Sequence, residues 1–370
     1  MTRVLSFLAR RIVAAIFILV LMITLTFVIY WAIPSQPASL VYPNAPHLTE
    51  YQIHQAHKLL GLDRPKIVQW ADYLSHIARG DFGDQWQGTQ VTGKQTLIQA
   101  PISSTLFAKT RLTASILLGG AFLVLVLALP LGALAARFQN SIGDRVLSLL
   151  TLVAICLHPM VLGLILRTVF GDQLKWLPDS GYCTFLHHHA STAPPSQSFG
   201  FFGVPTPVCG GPLPWAQHLV LPWVSFALLF LALYTRMSRA SVLEVLHEDF
   251  VRTARAKGAS ETRVIGRHVL PNVGLRILTM IGMEIGTAIG VCVYIESAFN
   301  MRGLGRYAVD TFAGTNGLDL PVVLAVVTMI TVVVIAGNLI VDLLYAVFDP
   351  RVGATSVRLR RTPGSEPVVV

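Results

Sequence analysis

Long apolar runs, separated by short polar segments, set the pattern of the chain. Six runs are close to the ~20 apolar residues that a helix needs to cross a bilayer. They cover residues 12–33, 112–136, 146–166, 219–235, 277–295 and 320–341. The third run contains His158 and Pro159, and the fifth contains one charged residue, Glu284. The pattern therefore predicts an all-α membrane protein with six transmembrane helices.

Composition supports the same class. Hydrophobic residues make up 53% of the 370 residues, and charged residues make up only 13%. A soluble protein of this length carries more charge on its surface. The first run follows Arg10 and Arg11, and no small-residue cleavage site follows a short apolar core. We therefore expect a retained signal anchor rather than a cleaved signal peptide.

The basic residues predict an orientation. Of the 28 Lys and Arg residues, 17 fall in segments that share one side when the N-terminus is placed in the cytoplasm. Cytoplasmic loops of membrane proteins carry such an excess. Both termini are therefore expected in the cytoplasm. The net charge of +9 follows from this topology and does not indicate a nucleic-acid partner.

Four segments outside the runs complete a single domain that covers residues 1–370. They are an outer segment at 34–110, an outer loop at 171–215, a cytoplasmic loop at 240–271 and a cytoplasmic tail at 351–370. Bilayer lipid is expected to surround the six spans.

The outer segment has helical signals of its own. Thr49 and Gln52 fit a capping box, which predicts a helix start. Pro65 can open a second helix with one apolar face. The members of that face are Ile67, Trp70, Ala71, Leu74, Ile77 and Ala78. We expect this amphipathic helix to rest on the outer surface of the membrane domain.

The outer loop carries candidate covalent and metal chemistry. Cys183 and Cys209 both lie in it, on the side where thiols are oxidised, so we predict a disulfide between them. The histidines at 187–189 raise the question of a metal site. Adjacent residues on an irregular chain rarely converge on one ion, and no carboxylates are suitably spaced, so no metal site is predicted.

Residues 248–271 form the most polar stretch, which we call the basic segment. Apolar residues recur with helical spacing where it begins. They are Val242, Leu243, Leu246, Phe250, Val251 and Ala254. Gly258 suits the left-handed conformation that ends a helix, Ser260 can begin a second short helix, and Pro271 is expected to end it. Two interpretations remain open on these grounds: a rigid helical pair that docks on another protein, or an amphipathic helix on anionic lipid.

The basic segment resembles the cytoplasmic EAA loop of ABC importer permeases. Their pattern is Glu-Ala-Ala, three residues, Gly, nine residues, Ile, one residue and Leu-Pro. The positions that match are Ala254, Gly258, Leu270 and Pro271. The positions that differ are Arg252, Thr253 and His268, which replace the Glu, the first Ala and the Ile.

Further stretches resemble the dipeptide, oligopeptide and nickel branch of those permeases. They are "LGLDRP" at 60–65, "GDFG" at 80–83, "PLGALAA" at 130–136, "GLGRYAVD" at 303–310 and "NLIVDLLYAVFDPR" at 338–351. Together they indicate the B-type, the first of two permease subunits. The resemblance implies a bacterial inner-membrane importer of dipeptides or oligopeptides. Nickel or a metal chelate is the alternative substrate, favoured only by the run of histidines.

The resemblance also implies partners and a coupling role. Such an importer combines this chain with a homologous second permease, two ABC ATPase subunits and an extracytoplasmic substrate-binding protein. ATP and Mg²⁺ are expected on the ATPases, because the nearest sequence to a phosphate loop, "TGKQT" at 92–96, lacks the required pattern. No cofactor and no catalysis are expected in this chain. The residues that correspond to the coupling helix are Asp249, Phe250, Arg252, Ala254, Arg255, Lys257 and Gly258.

The run at 277–295 is a candidate for lining the translocation pathway. One face, at about 100° per residue, has mixed polarity. It holds Met280, Glu284, Thr287 and Val291, opposite a ridge of Gly282, Gly286 and Gly290 that would let another helix approach. Ionisable groups within a membrane line a pathway or pair with a polar neighbour, and both remain open for Glu284. Glu296 lies at the outer boundary, where we expect it to line the pathway and help to close its mouth.

Two other classes of protein compete with an importer. A secondary transporter needs no ATPase, but the EAA-like segment and the lack of an evident inverted repeat argue against it. A membrane enzyme is disfavoured because no convergent set of catalytic residues stands out.

Overall fold

The computed structural model is almost entirely helical in the part of the chain that it describes. Those residues are 2–32, 38–42, 47–84, 87–91, 94–98, 101–139, 141–143, 145–146, 149, 153, 156–183, 211–313 and 319–348. The first helices are α1 (Thr2–Ala32), α2 (Ala38–Val41), α3 (Glu50–Leu59), α4 (Lys66–Ala78), α5 (Ile102–Arg137) and α6 (Pro159–Leu166). The later helices are α7 (Pro212–Val245), α8 (Asp249–Ala256), α9 (Glu261–Val264), α10 (Leu270–Ala298), α11 (Leu304–Phe312) and α12 (Leu320–Phe348). The prediction of an all-α membrane fold is confirmed.

Five helical stretches in the described residues are long and apolar enough to cross a membrane. They are Ala9–Ala32, Ile102–Arg137, Pro212–Val245, Glu261–Ala298 and Leu320–Leu344. They correspond to five of the six predicted spans. The remaining span, predicted at 146–166, falls partly outside the described residues. In its described part, a helix begins at Pro159 and continues into a π-helical turn, Arg167–Gln173. The count of six spans therefore stays a prediction.

One short antiparallel hairpin was not expected in the outer segment. Strands β1 (Gln87–Val91) and β2 (Lys94–Ile98) pair with Gln87 opposite Ile98. Their β-branched residues favour an extended chain, and only two residues separate the strands, which is the commonest hairpin spacing. The alternation was too short to stand out beside the apolar runs.

The expected helix end at Pro271 is wrong. Residues Glu261–Ala298 form one continuous helical stretch, in which a π-helical turn, Ile265–Val269, joins α9 to α10. Pro271 lies in the first turn of α10, where the lack of an N–H costs little. The side chain of Asn272 donates a hydrogen bond of 2.7 Å to the carbonyl oxygen of His268 in the same turn. The proline thus marks a change of helical form and not a stop.

The spans pack with alternating direction. Near the start of α1, Arg11 lies 3.2 Å from Asp342 near the end of α12. Near the opposite ends, Phe27 and Leu324 share a buried cluster. Helices α5 and α7 lie close together, since a Cβ added at Gly119 would lie 2.2 Å from the side chain of Trp223 and one at Gly132 would lie 2.5 Å from that of Ser238. The basic ends of the spans therefore gather at one end of the molecule, together with α8 and α9.

Helices α3 and α4 lie at the other end. The capping box of Thr49 and Gln52 is present as predicted. Helix α4 rests against two spans, because Trp70 Nε1 donates to Thr24 Oγ1 at 3.1 Å and the Tyr73 hydroxyl lies 3.5 Å from Thr328 Oγ1. Ile67, which was expected on the packed face, is 78% exposed. The contact face is therefore rotated toward Tyr73, which the apolar pattern did not include.

Candidate functional site

Helix α8 and helix α9 form a compact pair within the basic segment. Asp249 stands in the first turn of α8, where a carboxylate is favoured by the helix dipole. The pair turns at Gly258, whose φ of +79° is the left-handed conformation that was predicted. Ala259 then donates its N–H to the carbonyl oxygen of Ala254 at 3.2 Å. Ser260 precedes α9 as expected, although its side chain makes no capping hydrogen bond.

The pair is anchored through its apolar side. Val251 on α8 and Val264 on α9 are fully buried. They belong to the same core cluster as Val242, Val245 and Val273 of the long spans. The apolar residues with helical spacing between Val242 and Ala254 are shared by two helices, because α7 ends at Val245 and α8 begins at Asp249. The break lets α8 turn away from the axis of α7 while its valine stays in the core.

The opposite side of α8 is open. The side chains of Asp249 and Arg252 are 99% and 71% exposed. Phe250 is 43% exposed, although it is large and apolar, and Lys257 is exposed as well. Ala254 is half-buried against the core. The candidate coupling residues thus divide into an outward set and an inward set.

Arg255 belongs to neither set. Its Nε lies 2.7 Å from Glu261 Oε1, and its Nη2 donates to Glu261 Oε2 at 3.3 Å. This two-point contact ties α8 to α9 across the glycine turn. The arginine holds the pair together, a role that the sequence did not indicate because Glu261 carries no motif.

A second pair of charges braces the ends of the neighbouring spans. Glu244 near the end of α7 pairs with both terminal nitrogens of Arg276 near the start of α10. The Arg276 Nη2 to Glu244 Oε1 distance is 3.1 Å. The helical pair therefore extends from two spans that are themselves tied to each other.

The candidate pathway residues on α10 are not equivalent. Thr287 is exposed, whereas Met280, Glu284 and Val291 are half-buried. The glycine ridge meets a neighbour only in part. A Cβ added at Gly282 would lie 3.0 Å from Val341 Cγ1 of α12, but nothing lies within 4 Å of a Cβ at Gly286 or Gly290. One face of α10 is therefore left open near Thr287.

Glu296 is buried within the chain and does not lie on an open surface, and its role at the mouth of the pathway stays a prediction. Its side chain is 0% exposed. Oε1 accepts a hydrogen bond of 2.5 Å from the Thr113 hydroxyl, and Oε2 accepts one of 2.7 Å from the N–H of Arg306. Burial of a carboxylate requires such partners, and they come from segments far apart in the sequence. Periodicity along α10 could not reveal them.

The cysteines and histidines of the outer loop are only partly described. Cys183 is buried and disulfide-bonded, whereas Cys156 and Cys292 are free thiols. Cys209 and the histidines at 187–189 lie outside the described residues. The pairing of Cys183 with Cys209 and the expectation of no metal site there both stay predictions.

Comparison with known proteins places these features in a family. Residues 128–354 match the family described as binding-protein-dependent transport system inner membrane component. Residues 4–116 match the N-terminal family of the same transport system membrane components. The two matches together cover most of the chain.

Individual relatives match over nearly their full length. A probable peptide ABC transporter permease protein, y4tP, of Sinorhizobium fredii is 31% identical over 94% of this chain and 98% of that protein. The oligopeptide transport system permease protein AppB of Bacillus subtilis is 32% identical over 94% of this chain and 99% of its own length. The glutathione transport system permease protein GsiC of Salmonella choleraesuis is 29% identical over 94% and 99%.

Proposed function

Because this chain belongs to the family of binding-protein-dependent transport system inner membrane components, we propose that it is a permease subunit of an ATP-driven importer of dipeptides or oligopeptides. The relatives described above are named for peptides, oligopeptides and glutathione, which is itself a small peptide. The chain is a multi-pass membrane protein and a non-catalytic subunit of its transporter. ATP is hydrolysed by other subunits of the assembly.

The observation that carries the proposal is the α8–α9 pair. Its inward valines fix it to the spans, whereas Phe250, Arg252 and Lys257 are exposed. An exposed aromatic on a segment that also exposes cations suits a groove on another protein better than it suits water. We assign that groove to an ABC ATPase subunit, with Asp249 and Gly258 at the two ends of the docked helix. Movement of the ATPase would then be passed to the spans through Val251.

The remaining parts of the proposal concern partners and sidedness. Two ATPase subunits bind ATP and Mg²⁺, a homologous second permease completes the pathway, and an extracytoplasmic binding protein delivers the peptide. The excess of basic residues at the α8 end supports a cytoplasmic position for that end and for both termini, in the bacterial inner membrane. Bilayer lipid covers the apolar outer faces of the spans.

We assign one wall of the pathway to α10. Thr287 lies on its open face, and Glu284, Met280 and Val291 lie beside that face, half-buried. A carboxylate within a span is costly unless it reaches water or a partner. The described residues offer Glu284 no hydrogen bond or ion pair, which supports contact with a hydrated pathway.

A charge exchange within the α8–α9 pair tests the coupling role. Arg255→Glu sets two carboxylates against each other and should uncouple ATP hydrolysis from peptide uptake in proteoliposomes. The double change Arg255→Glu with Glu261→Arg restores opposite charges. It should recover at least half of the coupled uptake, because the ion pair between the two helices forms again.

Lys257→Glu is the matched control, because Lys257 is exposed and belongs to the proposed docking face. It should also uncouple transport, but Glu261→Arg should not rescue it. Coupled uptake that survives all single changes would contradict docking through this segment.

A further inference from the structure

The chain makes a tight elbow between α10 and α11, at residues 298–303. Phe299 and Met301 are 1% and 2% exposed, so these residues of the elbow are buried despite its lack of regular structure, whereas Asn300 and Arg302 are exposed. Asn300 adopts a φ of +51°, which asparagine tolerates better than most residues. A buried connection must satisfy its backbone groups within the protein. The contacts that do so involve both neighbouring helix ends.

Glu296 belongs to α10, but its side chain lies at the N-terminal end of α11. The first N–H groups of a helix lack partners within it, and their positive end attracts a carboxylate. Glu296 Oε2 accepts the N–H of Arg306 at 2.7 Å. A residue near the end of one helix thus caps the start of the next.

Thr113 of α5 completes this cap. Its hydroxyl donates to Glu296 Oε1 at 2.5 Å and accepts the N–H of Leu304 at 2.8 Å. One hydroxyl therefore links α5, α10 and α11. Thr113 is itself 1% exposed, so water does not compete for these bonds.

The backbone is shaped around the carboxylate. A Cβ added at Gly303 would lie 2.2 Å from Glu296 Oε1, and one at Gly305 would lie 2.7 Å from Val293 Cγ2. No real side chain tolerates such distances, so the start of α11 lies directly on α10. Gly303 is needed here for space, since its φ of −80° is open to any residue.

The other helix end at the elbow carries the opposite charge. Arg167 donates from Nη1 to the carbonyl oxygen of Ala298 at 3.0 Å, at the C-terminal end of α10. A cation is favoured there, as an anion is at an N-terminus. Nearby, Lys109 lies with its Nζ 4.7 Å from the centre of the Tyr307 ring of α11. Both ends of the elbow are thus held by side chains from other helices.

We propose that Glu296 is a positioning residue that, with Thr113, locks α11 to α5 and α10, so that α11 is a lid carried by these two spans at the outer mouth of the pathway. Lifting α11 alone would leave a buried carboxylate and two N–H groups without partners, which is strongly unfavourable. The lid therefore moves only when the spans move. The lock is a feature of this chain alone, whereas the role of the lid rests on the proposed function.

Amide hydrogen exchange tests the lock without transport. The assembled complex, purified from membranes through a tag on this chain, is compared as parent, Thr113→Val, Thr113→Ser and Glu296→Gln. Thr113→Val keeps the shape but loses the hydroxyl, so exchange over residues 303–312 should rise at least about tenfold. Thr113→Ser keeps the hydroxyl and should exchange like the parent. Glu296→Gln should also raise exchange there.

Thr110→Val is the matched control. Thr110 stands one turn earlier on α5, and its hydroxyl bonds the carbonyl oxygen of Leu106 in its own helix at 2.7 Å. Equal exchange over 303–312 in Thr113→Val and Thr110→Val would overturn the lock. If Glu296→Gln fails to assemble, the threonine series still decides.

Peptide uptake by the same complexes tests the lid. Thr113→Val should alter the maximal rate of uptake by at least about twofold while the complex still assembles. Thr113→Ser should take up peptide at the parental rate. Raised exchange combined with parental uptake would keep the lock and overturn the lid. Uptake of no peptide by the parent would refute the proposed function and leave the exchange result standing.

Discussion

Phe250 and Val251 are neighbours in the sequence with opposite surroundings. Phe250 is 43% exposed on the outward side of α8, whereas Val251 is fully buried in the core between the spans. Adjacent residues on a helix point about 100° apart, so one turn of α8 can contact a partner and hold its own position at once. The two functions can therefore be separated by single substitutions.

Phe250→Ala should weaken binding of the ATPase subunits while the free energy of unfolding of this chain changes by no more than about 0.5 kcal/mol. Val251→Ala removes buried methyl groups and should lower that free energy by about 1–3 kcal/mol. Co-purification of the ATPases and thermal denaturation in detergent measure the two effects. Parental binding of the ATPases by Phe250→Ala would argue against the outward face as the docking surface.

Glu284 is suited to a graded test on α10. Glu284→Gln keeps shape and hydrogen bonding but removes the charge, so assembly should persist and the rate of peptide uptake should change. Glu284→Leu should reduce uptake further, since it dries this side of the pathway. Ile285→Val, on the buried side of the same turn, serves as the control. Failure of both Glu284 variants to assemble would favour a structural pair in place of pathway lining.

At the scale of elements, the sequence predicted features that depend on nearby residues better than features that depend on long-range contacts. The capping box at Thr49 and the left-handed Gly258 were predictable, because each depends on residues within one or two turns. The five described spans followed from apolar length alone. The pairs Arg255–Glu261 and Glu244–Arg276 were not predictable, because charges of ordinary spacing meet only after the chain has folded. The cap on α11 lay still further out of reach, since Thr113 and Glu296 are 183 positions apart.

The Glu244–Arg276 pair predicts a salt-dependent stability. Both side chains are substantially exposed, at 62% and 44%, so ions screen their attraction. Arg276→Gln should lower the midpoint of thermal unfolding more at low salt than at high salt. Arg263→Gln on α9 is the control, since Arg263 makes no ion pair within the described part of the chain. An equal loss at both salt concentrations would point to packing instead of charge.

At the scale of the whole molecule, the two ends are built differently. The α8 end carries charge pairs near the surface in addition to its buried valines, including Arg11 with the half-buried Asp342. The α11 end is held by buried hydrogen bonds such as that of Thr113 with Glu296, and by part-buried ones such as that of Trp70 with Thr24. Exposed pairs exchange partners at little cost, whereas buried polar groups do not. The first end suits a changing interface, and the second suits a fixed one.

The disulfide prediction belongs to this fixed end. Mass spectrometry of non-reduced peptides from freshly isolated membranes should find Cys183 joined to Cys209. Cys209→Ser should lower the free energy of unfolding by about 2–4 kcal/mol, because the loop is no longer closed. Cys156→Ser is the control, since Cys156 is a free thiol. A free Cys209 in the parent would contradict the pairing.

The uninterrupted stretch Glu261–Ala298 has 38 residues and a length of about 57 Å at 1.5 Å per residue. It begins within the segment that is proposed to receive force and ends at the elbow. Such a rod behaves as a lever, and a tilt of about 5° displaces its far tip by about 5 Å over that length. Its π-helical turn, Ile265–Val269, lies close to the input end, where loosened winding gives a little compliance without shortening the arm. A displacement of the α9 end of this stretch is thus carried to the elbow by the helix itself, with no relay of intermediate contacts.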